Sequence, residues 1–135
     1  VITSAEEFVR LRTSENPDEY LRAAWDEAPL DVWHEVIQHY PDMSFWVAQN
    51  KTVPIEILKL LAKNPEWRVR SMVASKNKLP EELQVKLAHD PDFSVRRSIA
   101  ANKKATLKAL QILVDEQDDD LRKLVLARIA EGRHK

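Results

Sequence analysis

The sequence predicts an all-α protein built from stacked helix pairs, and three observations carry that prediction. A single glycine, Gly132, in 135 residues leaves little room for tight hairpins, phosphate-cradling loops or dinucleotide fingerprints, all of which need positive φ or close backbone approach. Seven prolines, Pro17, Pro29, Pro41, Pro54, Pro65, Pro80 and Pro91, stand 12, 12, 13, 11, 15 and 11 residues apart. Proline is tolerated in the first turn of a helix and not inside it, so each interval holds one helix and its turn. The stretch from Pro65 to Pro91 then returns 26 residues further on: Val69-Arg70 recurs as Val95-Arg96 and again as Leu121-Arg122. Periods of roughly 20–50 residues mark arrays in which each unit covers its neighbour's apolar face, so the predicted architecture is an α-solenoid.

Taken in order, Ser4-Ala-Glu-Glu7 has capping-box spacing ahead of Phe8, Val9 and Leu11, which predicts a helix over 5–14 ended by Asn16-Pro17. Residues 1–16 form an N-terminal capping helix on this reading. Residues 18–28 present Tyr20, Leu21, Ala24 and Trp25, and 30–40 present Leu30, Trp33, Val36, Ile37 and Tyr40. Both follow the spacing of a one-sided helix, so Trp25 and Trp33 are expected in the core. Pro17, Pro41, Pro65 and Pro91 open successive pairs across 17–117. An unpaired C-terminal capping helix over about 118–131, with a tail to 135, completes a single domain of about four two-helix repeats plus terminal helices.

The repeat assigns faces. Pro54, Pro80 and Thr106 align, as do Ile57, Leu83 and Ala109, then Leu61, Leu87 and Leu113, then Asn64, Asp90 and Glu116. Val69, Met72 and Val73, with Val95 and Ile99 and with Leu121, Leu124 and Val125, are expected to be core. Two small-residue columns, Ala48/Ala74/Ala100 and Ser75/Ala101/Ala127, are expected to let neighbouring helices approach closely.

Composition narrows function. A hydrophobic content of 44% with 32% charged residues is that of a folded chain, not a disordered one. The absence of Cys excludes disulfides, thiolate metal sites, iron–sulfur clusters and a Cys nucleophile, and it fits a cytoplasmic setting. No apolar run reaches the roughly 20 residues that span a bilayer, and the opening VITSAEEF lacks a basic stretch followed by an apolar one, so no membrane association is expected. The net charge of −1 is unevenly spread: residues 1–64 hold 6 Lys+Arg against 11 Asp+Glu, and residues 65–135 hold 15 against 11.

The segments AKNPEWRVRSMVASKNKLP and AHDPDFSVRRSIAANKKAT resemble the leucine-rich repeat variant and, more broadly, HEAT-like repeats, in which an acidic-Pro-acidic turn leads into a Val-Arg pair and an alanine-rich helix. The resemblance is strongest over 54–128. It implies a right-handed α-solenoid of the HEAT/ARM type, with the Val-Arg helices lining a concave side and Pro-initiated helices such as 80–89 outside. Phe45-Trp46 stands where other copies have Val-Arg, and Thr106 replaces a proline. The Cys-rich cluster segment of some such proteins has no counterpart, so no cofactor carries over.

Within this frame, Arg70, Arg96 and Arg122 form one column, each preceded by an acid four residues earlier, Glu66, Asp92 and Asp118. Acid before base at that spacing predicts intrahelical pairs, and the column reads as a ladder between repeats with ligand contact as the alternative. The neighbouring column Ser71, Arg97 and Lys123, with Arg68, adds a positive strip. Trp46, Trp67 and Phe93 lie near the starts of successive inner helices, and aromatics beside Arg are typical of binding hot spots. The candidate partner-binding residues are therefore Trp46, Trp67, Arg68, Arg70, Arg96, Arg97, Arg122 and Lys123.

Catalysis has little to stand on. His34 and His39 lack metal-ligand spacing, His39 with Glu35 has it without a third ligand, and Asp118-Asp119-Asp120 sits at a predicted helix start, where acids are favoured anyway. The expectation is a non-enzymatic, monomeric scaffold or adaptor that binds another protein through its concave side, with no metal and no cofactor. Two alternatives stand beside it. One is a nucleic-acid-binding repeat protein related to DNA repair, for which Trp46 and Trp67 with Asp42 or Glu66 are the base-pocket residues on offer. The other is a small bacterial immunity or regulatory protein.

Overall fold

The structure, a computed structural model, describes residues 1–132. Ser4 starts the first helix as its spacing predicts: its Oγ accepts from the Glu7 backbone N–H at 3.0 Å, while the Glu7 carboxylate accepts from the Thr3 N–H at 2.8 Å. Helix α1 (Ala5–Thr13) follows, then α2 (Pro17–Trp25), α3 (Leu30–His39), a 3₁₀ turn (Pro41–Met43), α4 (Ser44–Gln49) and α5 (Ile55–Leu61). Beyond them come α6 (Trp67–Ala74), α7 (Glu81–Ala88), α8 (Phe93–Ala101), α9 (Leu107–Ile112) and α10 (Asp119–Glu131). The described residues contain no strand, so the protein is all-α. The tail expected after α10 reaches into 133–135, which lie outside the described residues.

Helix ends match the punctuation of the sequence. Pro17 occupies the first turn of α2, and Pro29 and Pro80 precede α3 and α7 with φ of −59° and −63°. Where the repeat replaces proline by Thr106, the hydroxyl caps α9 by accepting from the Ala109 N–H. Gly132 ends α10 with φ of +69°, the left-handed conformation that favours glycine.

The chain divides into two compact units, residues 1–61 and residues from 62 onward. In the first, α1 packs on α2 and α3, and α4 on α2, α3 and α5. Its core gathers Ile2, Phe8, Leu11, Trp33, Val36, Val47, Ile57 and Leu58. Trp33 is fully buried as expected, and the Phe8 ring meets it edge-on with centroids 5.2 Å apart.

Helix α2 departs from its predicted orientation. Tyr20, Leu21 and Trp25 face solvent, Trp25 with 61% of its surface exposed, and the buried residue is Ala23. The reason lies in segment 50–52, which runs against the end of α2. Asn50 Nδ2 donates to the Ala23 and Asp26 carbonyls at 2.8 and 3.0 Å, the Lys51 N–H donates to the Ala24 carbonyl at 2.7 Å, and Thr52 Oγ1 donates to the Asp26 carbonyl at 3.2 Å. A small side chain admits that backbone approach, so Ala23 turns inward while Tyr20, Leu21 and Trp25 turn out.

In the second unit, α6 packs on α8, α8 on α10, and α7 on both α8 and α9. Val69, Val73, Val95, Ile99, Leu121 and Val125 are buried, as are Leu83, Leu87, Ala109 and Leu113. Met72 and Leu124 are only half-buried. Of the two small-residue columns, Ala74 and Ala100 are fully enclosed, whereas Ser75, Ala101 and Ala127 are exposed and mediate no close approach.

Candidate functional site

Two rows of polar contacts recur along the chain at the repeat spacing, and a third contact stands alone. The first is the arginine column. Arg70 binds Asp90 through two bonds, Nε to Oδ2 at 2.8 Å and Nη2 to Oδ1 at 3.1 Å, and its Nη1 donates to the carbonyls of Asn64 and Pro65. Arg96 repeats this with Glu116, Nη2 to Oε1 at 2.9 Å, and with the carbonyls of Asp90 and Pro91. Arg122 donates to the Glu116 carbonyl and pairs with Asp119.

The predicted pairing within each helix is therefore corrected: Glu66, Asp92 and Asp118 are not the ion-pair partners of Arg70, Arg96 and Arg122. Asp92 and Asp118 instead cap their helices, accepting from the N–H groups of Ser94 and Leu121, and Glu66 lies 3.6 Å from Arg68. At Arg70 and Arg96 the planar guanidinium reaches the next turn's carboxylate and two loop carbonyls at once, satisfying more donors than a pair within one helical turn, whereas Arg122 pairs inside its own helix. Hydrogen bonding to Asp90 holds the Arg70 guanidinium even more basic than usual.

A second row escaped the sequence reading. Asn102 Nδ2 donates to the carbonyls of Ala74 and Lys76 at 2.8 and 2.9 Å. One repeat later, Arg128 donates to Ala100 and Asn102 at 3.2 and 3.0 Å. Asn50 makes the corresponding bonds in the first unit. The signal was present: Asn50, Lys76, Asn102 and Arg128 stand 26 apart. Their differing chemistry hid the task that Asn50, Asn102 and Arg128 share, satisfying helix-end carbonyls. A third contact, from buried Gln84, donates to the carbonyls of Leu79 and Lys104 and accepts from the Thr106 N–H.

Once these bonds are assigned, the predicted partner-binding residues fall into two sets. Arg70 and Arg96 keep only 14% and 23% of their side-chain surface exposed, and their donors serve the row between turns. Trp67, Arg68, Arg97 and Lys123 face outward. The Arg68 guanidinium lies 5.1 Å from the Trp67 ring centroid, and Arg96 sits 5.8 Å from the exposed Phe93 ring. Ser71 and Ser98 hydroxyls meet at 2.6 Å between α6 and α8, while Arg97, next in sequence to Ser98, is exposed. Arg122, whose ion pair is exposed, is intermediate between the sets.

Trp46 belongs to the first unit. Its ring carries the Arg12 guanidinium 3.4 Å above the centroid and meets Phe45 edge-on. Trp46 and Arg12 line a groove of ≈ 280 Å³ with Tyr20, Leu21, Ala24 and Gln49. No carboxylate lines it, so the base-excision set of Trp46 with Asp42 does not come together there. A second hollow, ≈ 300 Å³, is lined by Ser75, Asn77, Ser98, Ala101, Asn102 and Lys103.

Among the described residues no group of three or more His, Asp or Glu side chains is placed to hold a metal, and no helix is long and apolar enough to cross a membrane. Comparison with protein-family models, curated proteins and solved structures finds no match to this chain.

Proposed function

We propose that this chain is a non-enzymatic protein-binding adaptor, monomeric and cytoplasmic, whose helix pairs form a right-handed α-solenoid related to HEAT-like repeats. The observation that carries the binding role is the outward-facing set Trp67, Arg68, Arg97 and Lys123 in the second unit, set apart from the arginines used internally. Exposed aromatics stacked with guanidinium groups offer area, direction and charge at low entropic cost, which is the chemistry of interface hot spots. The solenoid reading is supported by the side-chain bonds that repeat every 26 residues and by packing of α6, α8 and α10 in succession.

Affinity capture with the intact chain, followed by mass spectrometry, tests the binding role. A partner retained by the wild type and lost with both Trp67→Ala and Arg97→Glu is the expected result. Partners insensitive to both substitutions refute the assigned surface. Retardation of duplex or single-stranded DNA at low salt, lost progressively as salt rises, would replace protein binding with the nucleic-acid reading.

A further inference from the structure

We infer that the groove between α1, α2 and α4 is a separate docking site, and that its occupant is a short segment of another protein carrying a large apolar side chain next to carboxylates. This rests on the protein-binding reading and adds to it a second surface with its own chemistry.

The apolar part is the outward face of α2. Leu21, 51% exposed, and Trp25 are one helical turn apart, and Leu21 lines the groove with Tyr20, Ala24 and Trp46. At ≈ 280 Å³ the hollow falls at the lower edge of the roughly 300–1,000 Å³ typical of small-molecule sites, a size suited to one inserted side chain.

The charged part fixes the rest of the occupant. Arg10 and Arg22 in this unit are committed to Glu19 and Asp26, at 2.6 and 2.7 Å. Arg12 and Lys51 have no carboxylate partner among the described residues, and they flank the apolar face: Arg12 over Trp46 at one side, Lys51 5.9 Å from the Trp25 ring centroid at the other. Stacking occupies the face of the Arg12 guanidinium and leaves its in-plane N–H groups available for a carboxylate. An apolar anchor flanked by acids therefore satisfies groups that the fold leaves without an ionic partner.

Other occupants fit less well. A second copy docked face to face would set Arg12 and Lys51 of one chain against Arg12 and Lys51 of the other, a like-charge juxtaposition. An anionic membrane would meet the two cations favourably and the strongly acidic remainder of residues 1–64 unfavourably.

Selection of a random dodecapeptide library on the intact chain provides the test. The expected peptides place Asp or Glu beside Leu, Phe or Trp, and Leu21→Glu or Arg12→Glu weakens them about tenfold, while Arg97→Glu leaves them unchanged. Leu21 and Arg12 are not core residues, and circular dichroism of each variant verifies folding. Replacing the peptide's acid by Lys weakens binding to the wild type and restores it to Arg12→Glu, a charge reversal that loss of structure does not produce. Peptides sensitive to Trp67→Ala or Arg97→Glu and not to Leu21→Glu overturn this site and leave the adaptor reading standing. A library yielding no binder overturns both. Binding to phosphatidylserine vesicles, or self-association in sedimentation, abolished by Leu21→Glu without acidic peptide selection, also overturns the inference.

Discussion

Arg70 and Asp90, twenty residues apart in sequence, form a two-bond ion pair with 14% and 6% of their side-chain surfaces exposed. The pair ties the start of α6 to the turn after α7, and Arg96 with Glu116 ties α8 to the turn after α9 in the same way. Removing one partner leaves a charge with reduced hydration and incomplete bonding, so Asp90→Ala is expected to destabilise the fold by about 2–3 kcal/mol. Asp119→Ala, which removes the exposed partner of Arg122, is expected to change stability by less than about 0.5 kcal/mol. Urea unfolding of the two variants measures the contrast; equal midpoints would show that burial does not set the worth of these pairs.

The Asn102 amide holds two helix-end carbonyls from the preceding repeat. Asn102→Ala strands both and also removes the acceptor for the Lys104 N–H, at an expected cost of about 2 kcal/mol. Faster amide exchange at Lys104 in the variant, relative to the wild type, is the local signature of that loss.

Ala74 and Ala100 are sealed, and Ala101 beside them is open. Ala74→Leu and Ala100→Leu should overpack their helices and cost about 1–3 kcal/mol, whereas Ala101→Leu should leave the thermal midpoint nearly unchanged. A midpoint loss for Ala101→Leu as large as for Ala100→Leu would reverse the assignment of faces.

Ser44 Oγ is buried without a hydrogen-bond partner in the described structure. Ser44→Ala removes a desolvated polar group and is expected to hold or raise stability, by up to about 1 kcal/mol. A loss of that size instead would reveal a bond to an ordered water.

Glu19 accepts from Arg10 and from Ser14, and these bonds hold its carboxyl below the ordinary value of 4.5. A depressed folded-state pKa means a stabilising contribution that is complete above the unfolded value and lost as pH falls through the folded one. The thermal midpoint should decline across that acidic window, and Glu19→Gln should flatten the part of the decline that Glu19 contributes. Identical pH profiles would show that the two bonds carry no net linkage.

Much of the helix plan is legible in the prolines and in the 26-residue columns. Bounds expected at 5–14, 30–40 and 118–131 appear as Ala5–Thr13, Leu30–His39 and Asp119–Glu131. The site was read less completely. Trp67, Arg68, Arg97 and Lys123 are outward, yet the exposed face of α2 does not follow from the sequence, whose helical spacing puts Trp25 in the core. A stripe at helical spacing identifies one face of a helix; it does not say whether that face meets protein or water.

The sequence alone determined what depends on neighbours in the chain: the start and stop of most helices, the 26-residue repeat and the all-α class. Proline geometry, capping chemistry and glycine scarcity act locally, so a linear reading reaches them. Tertiary structure decided everything set by distance across turns. It paired Arg70 with Asp90 instead of Glu66, gave Asn102 and Arg128 one task despite different side chains, and turned Ala23 of α2 inward. The physical reason is that carboxylates, carbonyls and small side chains compete for the same neighbours in space, and the winner is the arrangement that leaves the fewest buried polar groups without a partner.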